Sequence, residues 1–162
     1  MQRIAEDPRV GATTLLPQPY PPDGAGRFVA YAQEVWGDEF HLAIEDDGGA
    51  VLGVLALKEM DILSFQADLG YYVDPARWGE GIATRAVALA CTLARDEGLL
   101  RLTAHTLVSN PASGRVLEKN GFELIETIPN PFARWPRSAR VARYALYLKG
   151  TRTEPGPVGA PS

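Results

Sequence analysis

The chain has 162 residues, 46% of them hydrophobic and 22% charged, with a formal net charge of −4. That length carries a prior of one domain whose core buries about 70% of the unfolded surface, and the acidic balance argues against nucleic-acid binding as the main task. Cys91 is the single cysteine, which excludes an intrachain disulfide and a Cys-x-x-Cys zinc pair, and the lack of a signal core or of an apolar run of roughly 18 residues predicts a soluble, cytoplasmic chain without a membrane span.

Residues 5–11 read as a short helix. The stretch LLPQPYPPDGAG (15–26) is too rich in proline to hold an element. Asp23 then caps a helix reaching Trp36, with Phe28, Val29, Ala32, Val35 and Trp36 at helical spacing. EFHLAIED (39–46) alternates as a strand, DDGGA turns, and VLGVLALKEM (51–60) returns as the second arm of a hairpin. FQADLGYYVD (65–74) is a third strand.

A long helix follows over 78–96, with Ile82, Ala86, Leu89, Ala90 and Leu93 as its apolar stripe and Gly98 as its stop. LLRLTAHTLV (99–108) is a strand. NPASGRVLEKNG (110–121) is a helix with Asn110 at the cap and Pro111 in the first turn. FELIETI (122–128) and ARVARYALYLK (139–149) close the series as strands. The Pro/Gly-rich tail 150–162 is expected to be disordered, which leaves 1–149 as the folded domain. Hairpins imply antiparallel pairing, and the strand–helix–strand unit at 65–108 implies a right-handed parallel crossover. The fold class is α/β, a mixed sheet with helices packed on it.

The glycines of RWGEGIAT (77–84) stand where the long helix begins. The first N–H groups of a helix have no internal partner. Glycine lets an anion approach them closely, and the helix dipole favours negative charge there. The stretch therefore reads as a phosphate cradle, with Arg77 and Thr84 as added donors and Glu80 pointing away. Incidental glycines are the plainer alternative, at about 1 kcal/mol each inside a helix. No Gly-Lys-Ser/Thr follows, so a Walker loop is excluded, and the third glycine of a dinucleotide fingerprint is missing.

GYYVDPARWGEGIATRAVALA (70–90) resembles the acetyl-coenzyme A signature of the GNAT N-acetyltransferases, with Trp78 in the usual Gln/Arg place. NPASGRVLEKNGFELIE (110–126) is similar to the branch that acetylates N-termini of ribosomal proteins, where an Asn-x-x-Ser helix precedes Leu-Glu-Lys-x-Gly-Phe. The resemblance covers about residues 23–149. It departs at the start: the family usually opens with a strand before the first helix, and either that strand is absent here or the chain begins late.

The resemblance implies a mostly antiparallel, twisted GNAT sheet with a central β-α-β coenzyme unit. It implies transfer of an acetyl group from acetyl-coenzyme A to a primary amine, a small molecule or a protein N-terminus, by a monomer or homodimer needing no metal. Gly79, Glu80, Gly81, Ile82, Ala83 and Thr84, flanked by Arg77 and Trp78, would hold the pyrophosphate. The strand ending in Tyr71, Tyr72 and Val73 would splay from 99–108 to admit the pantetheine arm, with a backbone N–H near Val73 for the oxyanion. Asn110 would bond the pantetheine amides, beside its role as a helix cap. Ser113 resembles a serine that protonates the leaving thiolate; it is otherwise a first-turn helix serine.

His105, five residues before Asn110, suits a general base near neutral pH, against the plainer reading of a strand histidine bonded to a neighbour. Asp68 is the competing base, with Glu59 weaker. His41 has no evident partner. Cys91 reads as a small core residue. The arginines of ARWPRSARVAR (133–143) read as a solvated loop or, less simply, as a positive lip of the acceptor site. LPQPYPPDG with Tyr20 is expected to form the opposite wall. The competing function is a GNAT fold that binds acyl-coenzyme A without turnover.

Overall fold

The computed structural model describes residues 1–61 and 63–148; the tail expected to be disordered lies outside the described residues. Three helices come first, α1 (Gln2–Glu6), α2 (Pro8–Thr13) and α3 (Gly24–Glu34). The single helix expected over 5–11 is two, because Asp7 is extended and accepts from the Arg9 N–H as the cap of α2. Then come β1 (Phe40–Glu45), β2 (Val51–Asp61), β3 (Gln66–Val73), a 3-10 turn (Pro75–Arg77), α4 (Ile82–Asp96), β4 (Arg101–Leu107), α5 (Pro111–Lys119), β5 (Glu123–Pro129) and β6 (Arg140–Tyr147). Among the described residues no strand precedes β1.

The six strands form one sheet in the order β1-β2-β3-β4-β6-β5. Only β3 and β4 run parallel; the other four pairings are antiparallel. The α4 crossover between β3 and β4 makes the parallel pair possible.

The core lies between one sheet face and α4 and α5. Leu55 and Leu57 of β2, Ala67 and Leu69 of β3, and Leu102 and Ala104 of β4 meet Val87, Ala90, Cys91 and Ala94 of α4 there. The buried phase of α4 is thus 87, 90, 91 and 94, and Leu89, expected in the stripe, is 72% exposed. Cys91 is buried, which pushes its thiol up. Alternation along the strands turns Asp68 and His105 to the opposite face, which carries the cleft described below.

Candidate active site

The parallel pairing of β3 with β4 ends at Leu69↔Ala104. Beyond it β3 stays on β2 as far as Val73↔Gly53, and β4 stays on β6 as far as Leu107↔Val141. The sheet therefore splits between Gly70–Val73 and His105–Leu107. The Asp74 N–H donates to Leu52 O at 2.7 Å; antiparallel alternation then sends the Tyr71 and Val73 N–H groups to the β4 side, into the split.

At one end of the split lies the glycine loop. The helix expected from residue 78 begins at Ile82, and Gly79 and Gly81 belong to the loop before it rather than to its first turn. Both are left-handed, with φ of 85° and 74°, a conformation that a side chain disfavours by about 1–2 kcal/mol. Intrahelical bonding starts with the Arg85 N–H to Gly81 O at 3.1 Å. The N–H groups of Ile82, Ala83 and Thr84 have no acceptor among the described residues and face a loop with no side-chain cap. This arrangement fits an anion.

Asp74 caps the preceding 3-10 turn, accepting from the Ala76 N–H at 3.0 Å and from Arg3. Trp78 donates from its indole to Val73 O at 2.9 Å, which ties the loop to the end of β3. Arg77 borders the cleft, but its guanidinium pairs with Glu80 at 2.8 Å and lies 4.0 Å from Asp46. Glu80, outside the lining, is held below the usual carboxylate range by Arg77. Arg115 and Lys119 of α5 add positive charge to the lining of the same cleft, with no ion-pair partner among the described residues, which their i, i+4 spacing on that helix could have revealed.

One cleft of about 840 Å³ joins this loop, the split and the opposite sheet face. Tyr72, Val73, Arg77, Trp78, Gly79, Gly81, Ile82, Ala83, Thr84, Asn110 and Ser113 all line it, as do Asp68 and His105. Asn110 caps α5 through its Oδ1, 3.5 Å from the Ser113 N–H, and its amide N–H₂ has no partner among the described residues. Ser113 Oγ is 2.8 Å from the Tyr71 hydroxyl, a partner the sequence reading missed. Burial pushes the Tyr71 phenol up to about 12 despite the Ser113 bond, so Tyr71 stays protonated. Burial, and less so Tyr20, also raises Tyr72.

The two competing bases are partners. His105 Nδ1 lies 3.0 Å from Asp68 Oδ1. Asp68 also accepts from Thr103 Oγ1 at 3.1 Å and faces Lys58 Nζ at 3.7 Å. Nδ1–H donation to a carboxylate leaves His105 Nε2 with its lone pair, a proton acceptor beside the split.

The wall opposite is built by Val10, Thr13, Thr14, Leu15 and Leu16 with Phe28, and not by Tyr20, which stands outside the lining. Phe132 and Trp135 supply the far side. Trp135 donates to Thr14 O at 3.1 Å and Arg134 to Leu16 O at 2.9 Å, so this arginine staples the wall. Arg140 donates to Thr127 O, and Arg143 pairs with Glu126. The arginines do not form a lip. His41 has a partner after all, Glu39 at 2.7 Å. No group of three or more His, Cys, Asp or Glu that could hold a metal exists among the described residues; no helix there is long and apolar enough to cross a membrane.

A split mixed sheet with an amide-lined glycine loop beside the split defines a GNAT-type acyltransferase fold. The model of the acetyltransferase (GNAT) domain matches residues 1–123, and the chain belongs to that family. It is 31% identical over 93 residues to the ribosomal-protein-serine acetyltransferase of Escherichia coli (strain K12), covering 57% of this chain and 50% of that protein. It is 36% identical over 102 residues to the probable N-acetyltransferase YjcK of Bacillus subtilis (strain 168), covering 59% and 55%. The matches thus span about half the length of these relatives. Among solved structures, the spermidine N-acetyltransferase of Vibrio cholerae in complex with CoA and spermine superimposes with a TM-score of 0.79 at 18% identity, over 91% of this chain and 87% of that one; this likeness shows the fold alone.

Proposed function

We propose that the chain is an N-acetyltransferase that moves an acetyl group from acetyl-coenzyme A directly to a primary amine. One observation carries the reading: a single cleft runs from the unpaired amides at the start of α4, through the split between β3 and β4, to the His105–Asp68 pair. When bound, acetyl-coenzyme A supplies the activated acyl group as a thioester.

The residues divide the work by position. The Ile82, Ala83 and Thr84 N–H groups, with Arg115 and Lys119, take the phosphates. Asn110 offers its amide N–H₂ to the pantetheine arm. Asp68 holds the His105 tautomer, and His105 Nε2 removes the proton of the attacking amine. The Val73 N–H stabilises the oxyanion, a contribution of about 3 kcal/mol where such a donor is preorganised. Tyr71 fixes the Ser113 hydroxyl, which is placed to protonate the departing thiolate.

Two acceptor classes are carried forward, a protein N-terminus, in line with the ribosomal-protein relative, and a small-molecule amine such as a polyamine. The test is acetyl transfer against a panel containing both, followed as free thiol and as acetylated product. Coenzyme release above hydrolysis with at least one amine is the expected result. Tight coenzyme binding without release on any amine favours the non-catalytic binding module instead.

A further inference from the structure

The acceptor side of the cleft holds a polar atom that the transfer chemistry leaves unused. His41 of β1 lines the cleft with a side chain only 7% exposed. Its Nε2 meets Glu39 Oε2 at 2.7 Å. Glu39 also accepts from the Tyr31 hydroxyl at 3.0 Å and from the Glu59 N–H at 3.2 Å. Burial works against the charge of Glu39, but these bonds outweigh it and hold the carboxyl below its usual range. Facing an ionised carboxylate, Nε2 carries the hydrogen, and in the neutral tautomer the lone pair is then on Nδ1. That Nδ1 is buried and has no partner among the described residues. Phe28 and Tyr31 meet the ring edge to face at 5.3 and 5.5 Å and fix its orientation. A buried acceptor without a partner calls for an explanation.

Strand register supplies one. His41 pairs with Ala56, and Ala56 with Gly70. The next position on β4 after the last parallel pair, Leu69↔Ala104, is His105. One row across the sheet therefore reads His41, Ala56, Gly70, His105, all on the cleft face. The two small residues leave a trough with an imidazole at each end. Lys58 flanks it, its stem beside Gly70 and its ammonium turned to Asp68. Three strand spacings, the last at the start of the split, separate the two histidine backbones by at least about 14 Å. With one hydrogen bond at each end, a molecule lying in the trough has its polar ends about 8 Å apart.

We infer that His41 Nδ1 receives the far end of the amine acceptor, an N–H or O–H donor carried about 8 Å from the reacting nitrogen. The acceptor is then an elongated bifunctional amine rather than a short monoamine. Two sources carry this chemistry, the second ammonium of a diamine and a backbone N–H near the start of a peptide. The reacting end rests on the transfer reading above; the His41 contact can be read without turnover.

The test uses the full chain, its His41→Gln variant, and matched acceptors. The glutamine amide keeps a donor for Glu39 and lacks the Nδ1 lone pair. The acceptors are hexane-α,ω-diamine against hexylamine, and a short peptide amide against the same peptide N-methylated beyond its first residue. The KM ratio of hexylamine to diamine, or of methylated to unmethylated peptide, should fall about tenfold in the variant, with the kcat ratio unchanged; the pair that responds names the source. An equal change in both members of each pair, or none, overturns the inference. Nitrogen NMR of the unaltered, coenzyme-loaded protein gives a second reading. The His41 Nδ1 resonance should move with diamine or unmethylated peptide and not with hexylamine. No movement with either donor probe, or movement only with an ω-aminocarboxylate, overturns it. If no amine is acetylated, the transfer reading fails, and the resonance alone still decides His41.

Discussion

His105 and Asp68 are 37 positions apart in the chain and 3.0 Å apart in the fold. If His105 is the base, His105→Ala lowers kcat by roughly 10²–10⁴ and leaves the coenzyme affinity unchanged. Asp68→Asn keeps the shape but loses the carboxylate that orients Nδ1–H, and should cost at least about tenfold in kcat. Steady-state coenzyme release measures both; two variants within about threefold of the parent would leave the pair a structural one. Asp74 makes a prediction about pH. Arg3 first, and then the Ala76 N–H, hold its carboxyl below the ordinary range, against burial. A lowered folded value means stabilisation that is complete above the unfolded value of about 3.9 and lost as pH falls through the folded one. Asp74→Asn keeps an amide oxygen for the Ala76 N–H but removes the charge that pairs with Arg3; it should therefore lower Tm at pH 7, and the gap from the parent should shrink as pH falls below about 4. Melts from neutral to acid pH check it; a gap that is constant to the lowest pH counts against the assignment.

At the scale of elements, the start of α4 separates two roles of glycine. Gly81 and Gly98 are both left-handed, at φ of 74° and 79°, one at the cleft and one past the C-terminal end of α4. An added Cβ meets nothing within 4 Å at Gly98, and only the flexible end of Arg85, at 3.3 Å, at Gly81. Gly81→Ala and Gly98→Ala should thus lose similar stability, about 1–2 kcal/mol, or roughly 2–8 °C in Tm. Only Gly81→Ala should weaken acetyl-coenzyme A binding, by tenfold or more. Calorimetric titration separates the two, and normal binding by Gly81→Ala would place the cradle elsewhere.

For the whole molecule, the coenzyme is also a stability ligand. At 100 times its dissociation constant acetyl-coenzyme A should add about 2.7 kcal/mol, which at this chain length is roughly 5–10 °C in Tm. NAD and ATP should shift the melt far less. Thermal unfolding with each ligand is the measurement, and an unmoved Tm with every coenzyme A thioester contradicts the proposed site.

What the sequence determined by itself is local or motif-borne. Alternation at 39–46 and 51–60, the cap at Asn110 and the spacing of Gly79 and Gly81 are properties of short stretches, and they placed the strands and α5 and marked the neighbourhood in which α4 begins. The paired signatures at 70–90 and 110–126 carried the family. Tertiary structure decided whatever depends on neighbours distant in the chain. The phase of α4 is set by which face the sheet covers, so Leu89 lies outside although its spacing allows burial. The left-handed conformation of the glycines moves the helix start to Ile82 because the loop must turn from β3 into α4. The cleft wall comes from Val10–Leu16, since Trp135 and Arg134 bond to the carbonyls of Thr14 and Leu16 from more than a hundred residues away. Two candidate bases became one pair, and His41 gained Glu39 and a place in the row of His105, through strand register. Register is a relation between strands, set by the packing of one sheet face, and no single stretch of sequence carries it.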